Sequence, residues 1–287
     1  MPNRICSTGL KALVLLTALL LGGCAAGSVL DNVEIHPPTK GLLHALQSDG
    51  MANVSDRGYS VTVEPEVKPP SGASEAALIL QVRDSGGRPV EVFAEDMTKL
   101  LHLIVVSQDL SSFDHVHPVY EGHGKFRVKL TFPHGGTFLL LTEFMPDGKG
   151  LTVCKTRIAV NGDEPAAVPL TAGPPWKTTV DGVEITLSAE PMPGEIQAGG
   201  MAMLNFKLKS TETGERTVLE PYLGTVGHCV ILDASAKQYL HVHAAAEMSA
   251  GASVMFHTQF PKPGTYKLWA QFQVKGKVIV APFVIVI

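Results

Sequence analysis

Histidines at two repeated spacings are the residues of this chain best placed to do chemistry. His102 opens the segment HLIVVSQDLSSFDHVH, and His228 opens HCVILDASAKQYLHVH. In each segment a second histidine follows thirteen positions later (His115, His241), and a third stands two positions beyond it (His117, His243). Side chains two apart on a strand share a face and lie about 7 Å apart. The first histidine of each set joins that face if the two strands form a hairpin with an even-numbered loop. Pairing position 107 with 112 around Gln108-Asp109-Leu110-Ser111 meets this condition. One face then reads His102, Ile104, Val106, Phe113, His115 and His117, and its twin reads His228, Val230, Leu232, Tyr239, His241 and His243. Three converging imidazoles suit Zn(II) or Cu(II), which take nitrogen donors at about 2.0 Å. Met97, Met145, Met248 and Met255 offer soft sulfur suited to Cu(I), and His257, two residues beyond Met255, is a candidate to complete the second site. Lys129 holds the aligned place in the first repeat and cannot ligate while protonated. Since free imidazole is half-protonated near pH 6.5, such a site is expected to release metal in mild acid. The alternative is that the six histidines donate to backbone carbonyls at strand ends, because duplication copies structural residues as faithfully as ligands. His123 and His134 fall in turn-like segments and are expected to be solvated.

The repeat extends past the histidines. Phe132-Pro133-His134-Gly135-Gly136-Thr137-Phe138 aligns with Phe260-Pro261-Lys262-Pro263-Gly264-Thr265-Tyr266, and Glu143-Phe144 falls opposite Gln271-Phe272 at the same offset of 128. From Tyr59 onward, short runs of Val, Ile, Leu, Thr and Phe are separated by Gly, Pro, Asp and Asn, the pattern of an all-β sandwich or barrel. Val180-Asp181-Gly182-Val183 reads as a tight hairpin. The predicted organisation is a tether over 24–58, a β-sandwich over 59–160, a linker over 161–175 (NGDEPAAVPLTAGPP) and a second β-sandwich over 176–287. A length of 287 residues fits two domains of this kind.

Residues 1–23 read as a leader. Arg4 and Lys11 precede an apolar run from Ala12 to Leu21, too short to cross a bilayer as a helix. The run ends at Leu21-Gly22-Gly23-Cys24, which resembles the lipobox of bacterial lipoproteins, with Cys24 as the lipid-bearing residue. The expectation is a body anchored to a membrane of the cell envelope through its N-terminal lipid, facing the periplasm or the exterior. Cys154 and Cys229 each sit in an apolar strand-like stretch and are expected to be separate buried thiols rather than a disulfide. Beyond the leader, 21 basic residues face 27 acidic ones with no basic run, which excludes a nucleic-acid binder. No G-x-S-x-G elbow, H-E-x-x-H, P-loop or dinucleotide fingerprint is present, and no enzyme activity is expected.

His102 through Pro118, together with Leu223-Gly224-Thr225-Val226-Gly227-His228 and Tyr239 through His243, resembles the motifs of bacterial secreted or lipid-anchored YtkA-like proteins. Ala244 departs from them, standing where the first repeat has Pro118. The resemblance implies immunoglobulin-like sandwiches for both halves and an association with copper and other metals. Copper is therefore the first expectation and zinc the second. The implied function is an extracytoplasmic, lipid-anchored module that handles or delivers copper, with an envelope metal-transport protein as partner. A structural or protein-interaction module of the envelope, in which the histidines serve folding, stands beside it.

Overall fold

In the computed structural model, which describes residues 56–245, 249 and 253–287, every regular element is a β-strand. The leader 1–23, Cys24, nearly all of the tether and Met248 lie outside the described residues. The first repeat contains β1 (Ser60–Pro65), β2 (Ser74–Arg83), β3 (Phe93–Ala94), β4 (Leu101–Ser107), β5 (Phe113–Val116), β6 (Val119–Gly122), β7 (Lys125–Phe132), β8 (Gly136–Pro146) and β9 (Thr152–Val160). One sheet has the order β1-β2-β7-β6; in the other, β4 and β9 flank β8 and β5 lies beyond β4. That is the A-B-E-D and G-F-C strand order of an immunoglobulin-like sandwich, with β5 added beside C.

The second repeat follows the same plan with β10 (Lys177–Val180), β11 (Val183–Glu190), β12 (Met201–Ser210), β13 (His228–Asp233), β14 (Tyr239–His243), β15 (Ser253–Gln259), β16 (Thr265–Val274) and β17 (Lys277–Val286). Its sheets run β10-β11-β12-β15 and β14-β13-β16-β17; β11, β12 and β15 correspond to β1, β2 and β7, and β10 is an edge strand added by the hairpin. Val180 pairs with Val183 around Asp181 (φ 46°) and Gly182 (φ 76°), the left-handed pair that a two-residue hairpin turn requires. The fold is all-β, two tandem immunoglobulin-like sandwiches within one compact unit. Cys154 and Cys229 are free and buried, and burial pushes the Cys154 thiol up to about 12.

The two sheets of each sandwich differ in how they meet water. Strands β2, β7, β12 and β15 alternate buried and accessible side chains, as a sheet with one solvated face should. Strand β4 is buried at every position, and β13 at all but its last. Leu101, Leu103 and Val105 point into their own sandwich core with Phe126 and Phe138. Ile104 and Val106 point the other way. There, with Leu139, Leu141 and Val153, they join Val230, Leu232, Tyr239 and Trp269 of the second repeat in one shared cluster. Phe113 stacks on Trp269, ring centroids 4.8 Å apart. The repeats thus pack through the sheets that carry their histidines, and each fully buried aliphatic side chain contributes roughly 1.5–3 kcal/mol relative to exposure.

Candidate metal centre

Register decides which histidines meet. On β4 and β5, Leu103 pairs with Val116, Ile104 with His115 and Val106 with Phe113, the same total as the 107–112 pairing expected from loop parity. On β13 and β14, His228 pairs with His243, Val230 with His241 and Leu232 with Tyr239. In each repeat three imidazoles converge, their ligand nitrogens all within 4.8 Å of one another. Ring centroids lie 4.8–5.3 Å apart in the first triad and 4.9–5.5 Å apart in the second. Because both triads sit on the faces that pack together, His115 and His241 approach to 5.3 Å, His102 and His241 to 5.5 Å, and His115 and His228 to 6.1 Å. Six rings form one cluster at the junction of the repeats. His102, His228 and His241 are buried, and His115, His117 and His243 are half-buried.

Two tight turns fix the tautomers. Asp96–Lys99 and Tyr222–Thr225 each close on themselves through paired backbone hydrogen bonds, with positive φ at Met97 and Thr98 in one and at Leu223 and Gly224 in the other. The Asp96 carbonyl accepts from His102 Nε2–H at 3.0 Å, and the Tyr222 carbonyl accepts from His228 Nε2–H at 3.1 Å. A neutral imidazole carries one N–H, so the Nδ1 lone pair of each ring is turned toward its triad. The Leu-Gly of the Leu223–His228 motif therefore serves to aim His228. Replacing Gly224, at φ 77°, by Ala is expected to cost about 1 kcal/mol of stability, because a Cβ is disfavoured there. A urea melt checks this.

Further constraints cross from one repeat to the other. Glu143 on β8 pairs with His102 across its own sheet, and Gln271 on β16 pairs with His228. Each side chain reaches into the opposite triad. His241 Nδ1–H donates to Glu143 Oε1 at 2.8 Å, and Tyr239 O–H donates to Glu143 Oε2 at 3.0 Å. His115 Nδ1–H donates to Gln271 Oε1 at 3.0 Å. The remaining nitrogens, His115 Nε2 and His241 Nε2, then carry lone pairs directed inward. His102 Nδ1 lies 3.0 Å from His115 Nε2 and 3.2 Å from His117 Nε2. Two lone pairs facing at that distance are satisfied by a shared cation, and nitrogens about 2.0 Å from one tetrahedral ion are separated by about 3.3 Å. In the second triad, His228 Nδ1 and His241 Nε2 are buried without a hydrogen-bond partner. Buried nitrogens with lone pairs, each braced through its other nitrogen, are a donor set that could hold a transition-metal ion.

Burial depresses the basicity of these rings. The His117 pKa is lowered to about 3 and that of His228 to about 2, by desolvation first and by neighbouring imidazoles second. His115 and His241 are held well below the ordinary imidazole range for the same reasons. The solution pKa near 6.5 is thus the wrong reference. Protons therefore compete less for His115, His117, His228 and His241 in mild acid than the sequence alone predicted. Burial pushes Glu143 up, and it pushes Asp96 up together with the nearby Glu143 charge.

His257 is not part of either triad. It lies on β15 in the opposite sheet, paired with Met203, while its neighbours Phe256 and Thr258 point into the sandwich. Met255 shares that outward face, Met97 lies in the 96–99 turn and Met145 is two residues from Glu143 on the same strand face. Lys129 pairs with Glu75. His123 is exposed beside Glu91. His134 is half-buried near Phe138, its Nδ1–H donating to the Gly135 carbonyl, which corrects the solvated position expected for it. Sequence reasoning assigned no role to Glu143, Gln271, Tyr239, Asp96 or Tyr222. The offset-128 alignment of Glu143 with Gln271, each polar in a largely apolar strand, was the available signal.

A family model described as a domain of unknown function, DUF8832, matches the chain twice, over residues 52–161 and 178–287. No curated protein matches it. Similar solved structures include the Escherichia coli adhesin FdeC, at 16% identity, 81% of this chain, 65% of that chain and a TM-score of 0.27. The Yersinia pseudotuberculosis adhesin InvE is similar at 14% identity, over 81% of this chain and 60% of that one, with a TM-score of 0.26. A two-domain fibronectin type III segment of chicken tenascin is similar at 13% identity, over 79% of this chain and 97% of that one, with a TM-score of 0.22. The chain spans less than two thirds of either adhesin chain.

Proposed function

The chain belongs to the DUF8832 family, whose domain it carries twice, and from that premise we propose that it is a metal-binding protein holding copper, or zinc, at the paired histidine triads between its repeats. One observation carries this reading: backbone carbonyls and cross-repeat side chains fix His102, His115, His228 and His241 so that two lone pairs point into each triad. A merely structural histidine cluster would alternate donors and acceptors instead. The half-buried His117 and His243 give an ion a way in from solvent. The resemblance to YtkA-like proteins favours copper. Zinc suits the same nitrogen donors. The leader over 1–23 and the lipobox-like Cys24 support a lipid-anchored place in the cell envelope, facing the periplasm or the exterior. There the protein would take up metal and hand it to an envelope transport protein, as a carrier rather than a catalyst.

A second reading is favoured by the shared apolar cluster, since the same faces glue the repeats together through Ile104, Val106, Leu232 and Trp269. On that reading the chain is a structural or interaction module of the envelope. Equilibrium titration of the mature protein with Zn(II), Cu(II) and Cu(I) separates the two, alongside a His117→Ala/His243→Ala variant that opens both triads at their accessible members. Submicromolar binding lost in the variant supports the metal reading. Wild-type affinity no tighter than about micromolar for all three ions (about −8 kcal/mol) leaves the structural one.

A further inference from the structure

We propose that the two triads form a single two-ion centre that loads in a fixed order, the second-repeat triad first, because Glu143 of the first repeat backs it with a carboxylate while the first-repeat triad is backed only by the Gln271 amide. The inference rests on the metal-binding reading above.

Glu143 and Gln271 occupy equivalent places in the two repeats, each opposite the first histidine of its own triad, and each bonds the middle histidine of the other. The symmetry of position is broken by chemistry. A carboxylate behind an imidazole N–H raises the basicity of the far nitrogen and offsets the charge of a bound cation. An amide does neither. Loss of such an outer partner typically weakens metal binding about 10–100-fold. Both oxygens of Glu143 accept from donors, His241 Nδ1–H and Tyr239 O–H, so the carboxylate is already solvated by the protein when a cation in the triad compensates its charge. The residue aligned with Tyr239 is Phe113, which has no hydroxyl, and the Gln271 Nε2 group is buried without a hydrogen-bond partner.

Asp96 reinforces the asymmetry. Its carboxylate has a buried Oδ2 with no hydrogen-bond partner, and Glu143, His243 and His102 are its electrostatic neighbours; the aligned residue in the second repeat is the uncharged Tyr222. Glu143 and the half-buried Asp96 thus both lie near His243 as well as His102, but only the second triad has a carboxylate hydrogen-bonded to one of its rings, through His241, and a cation seated there is the one that Glu143 directly neutralises. Ring separations between triads are comparable to those within them, so an ion in one triad lies close enough to repel an ion entering the other.

Zn(II) binding to the mature protein, followed at pH 7.5 by competition with a chromophoric chelator, tests the order. The wild type is expected to show two steps at least tenfold apart. His243→Ala is expected to remove the tighter step, and His117→Ala to remove the weaker one while leaving the tighter within threefold. Glu143→Gln, which installs the residue that the other repeat already carries, is expected to weaken the tighter step about 10–100-fold and merge it with the weaker. Gln271→Glu is expected to tighten the weaker step, and this arm decides the matter if Glu143→Gln fails to fold by near-ultraviolet circular dichroism. Loss of the tighter step in His117→Ala, or unchanged steps in both position-143 and position-271 variants, overturns the order and leaves metal binding standing. A wild type that binds no Zn(II) removes both.

Discussion

Acidification from pH 6.5 to 5.5 is expected to destabilise the metal-free protein, its desolvated histidines contributing up to about 4 kcal/mol of the roughly 5–15 kcal/mol that holds a domain folded. The folded-state pKa values of His115, His117, His228 and His241 lie below that of an unfolded imidazole. Their contribution is present above pH 6.5. It is lost as the pH falls toward the folded values, because only the unfolded chain takes up protons in that window. Across this unit the unfolded rings go from half to nearly fully protonated, so each ring is worth about 1 kcal/mol, or about 4 kcal/mol for four. Glu143 and Asp96 run the other way. Their raised carboxyls oppose part of this loss, because the folded state holds their protons more tightly than the unfolded chain does. The net slope remains acid-destabilising. Urea denaturation in the presence of a chelator, followed by the fluorescence of Trp176 and Trp269, measures it at pH 7.5, 6.5 and 5.5. A midpoint that does not move below pH 6.5 would show that the rings are not desolvated as described.

His241→Ala is expected to destabilise the metal-free protein by about 3 kcal/mol, although the residue is one of six histidines in a cluster. Among the described residues, its Nδ1–H and the Tyr239 hydroxyl are the two groups that hydrogen-bond Glu143, which is buried between the repeats. Removing the ring strands a carboxyl oxygen in an apolar setting and leaves a cavity beside His102 and His115. At the half-buried His117, the same truncation is expected to cost only about 1 kcal/mol. A His241→Ala/Glu143→Leu double variant is expected to recover most of the loss, because an apolar pair replaces an unsatisfied polar one. Chemical denaturation of the three variants is the measurement. Equal losses for His241→Ala and His117→Ala would refute the bracing role assigned to Glu143.

Much of this centre was legible in the sequence because it depends on parity. Strand side chains alternate, and the even loop Gln108–Ser111 sets a register in which His102, His115 and His117 share a face; the thirteen-residue spacing repeats the result at His228, His241 and His243. His257 was misjudged because closeness along the chain to Met255 says nothing about which sheet a strand joins. On β15 it faces away from the sandwich, in the sheet that carries no triad. A further clue was present but local rules do not interpret it. The segments LHLIVVS and HCVILD are apolar almost without break, whereas KFRVKLTF alternates, and an unbroken run marks a strand covered on both faces. It does not say what covers it.

By itself, then, the sequence determined the duplication, the all-β strand pattern and the two sets of three histidines, because periodicity, turn residues and loop parity are local properties that short-range sterics enforce. Only the tertiary structure decided that the two histidine faces pack on each other. From that packing follow one cluster in place of two, the crossed partners Glu143 and Gln271, and the depressed basicity of His115, His117, His228 and His241. The physical reason is that docking depends on the shape and desolvation of whole faces assembled from residues more than a hundred positions apart, which no spacing along the chain encodes.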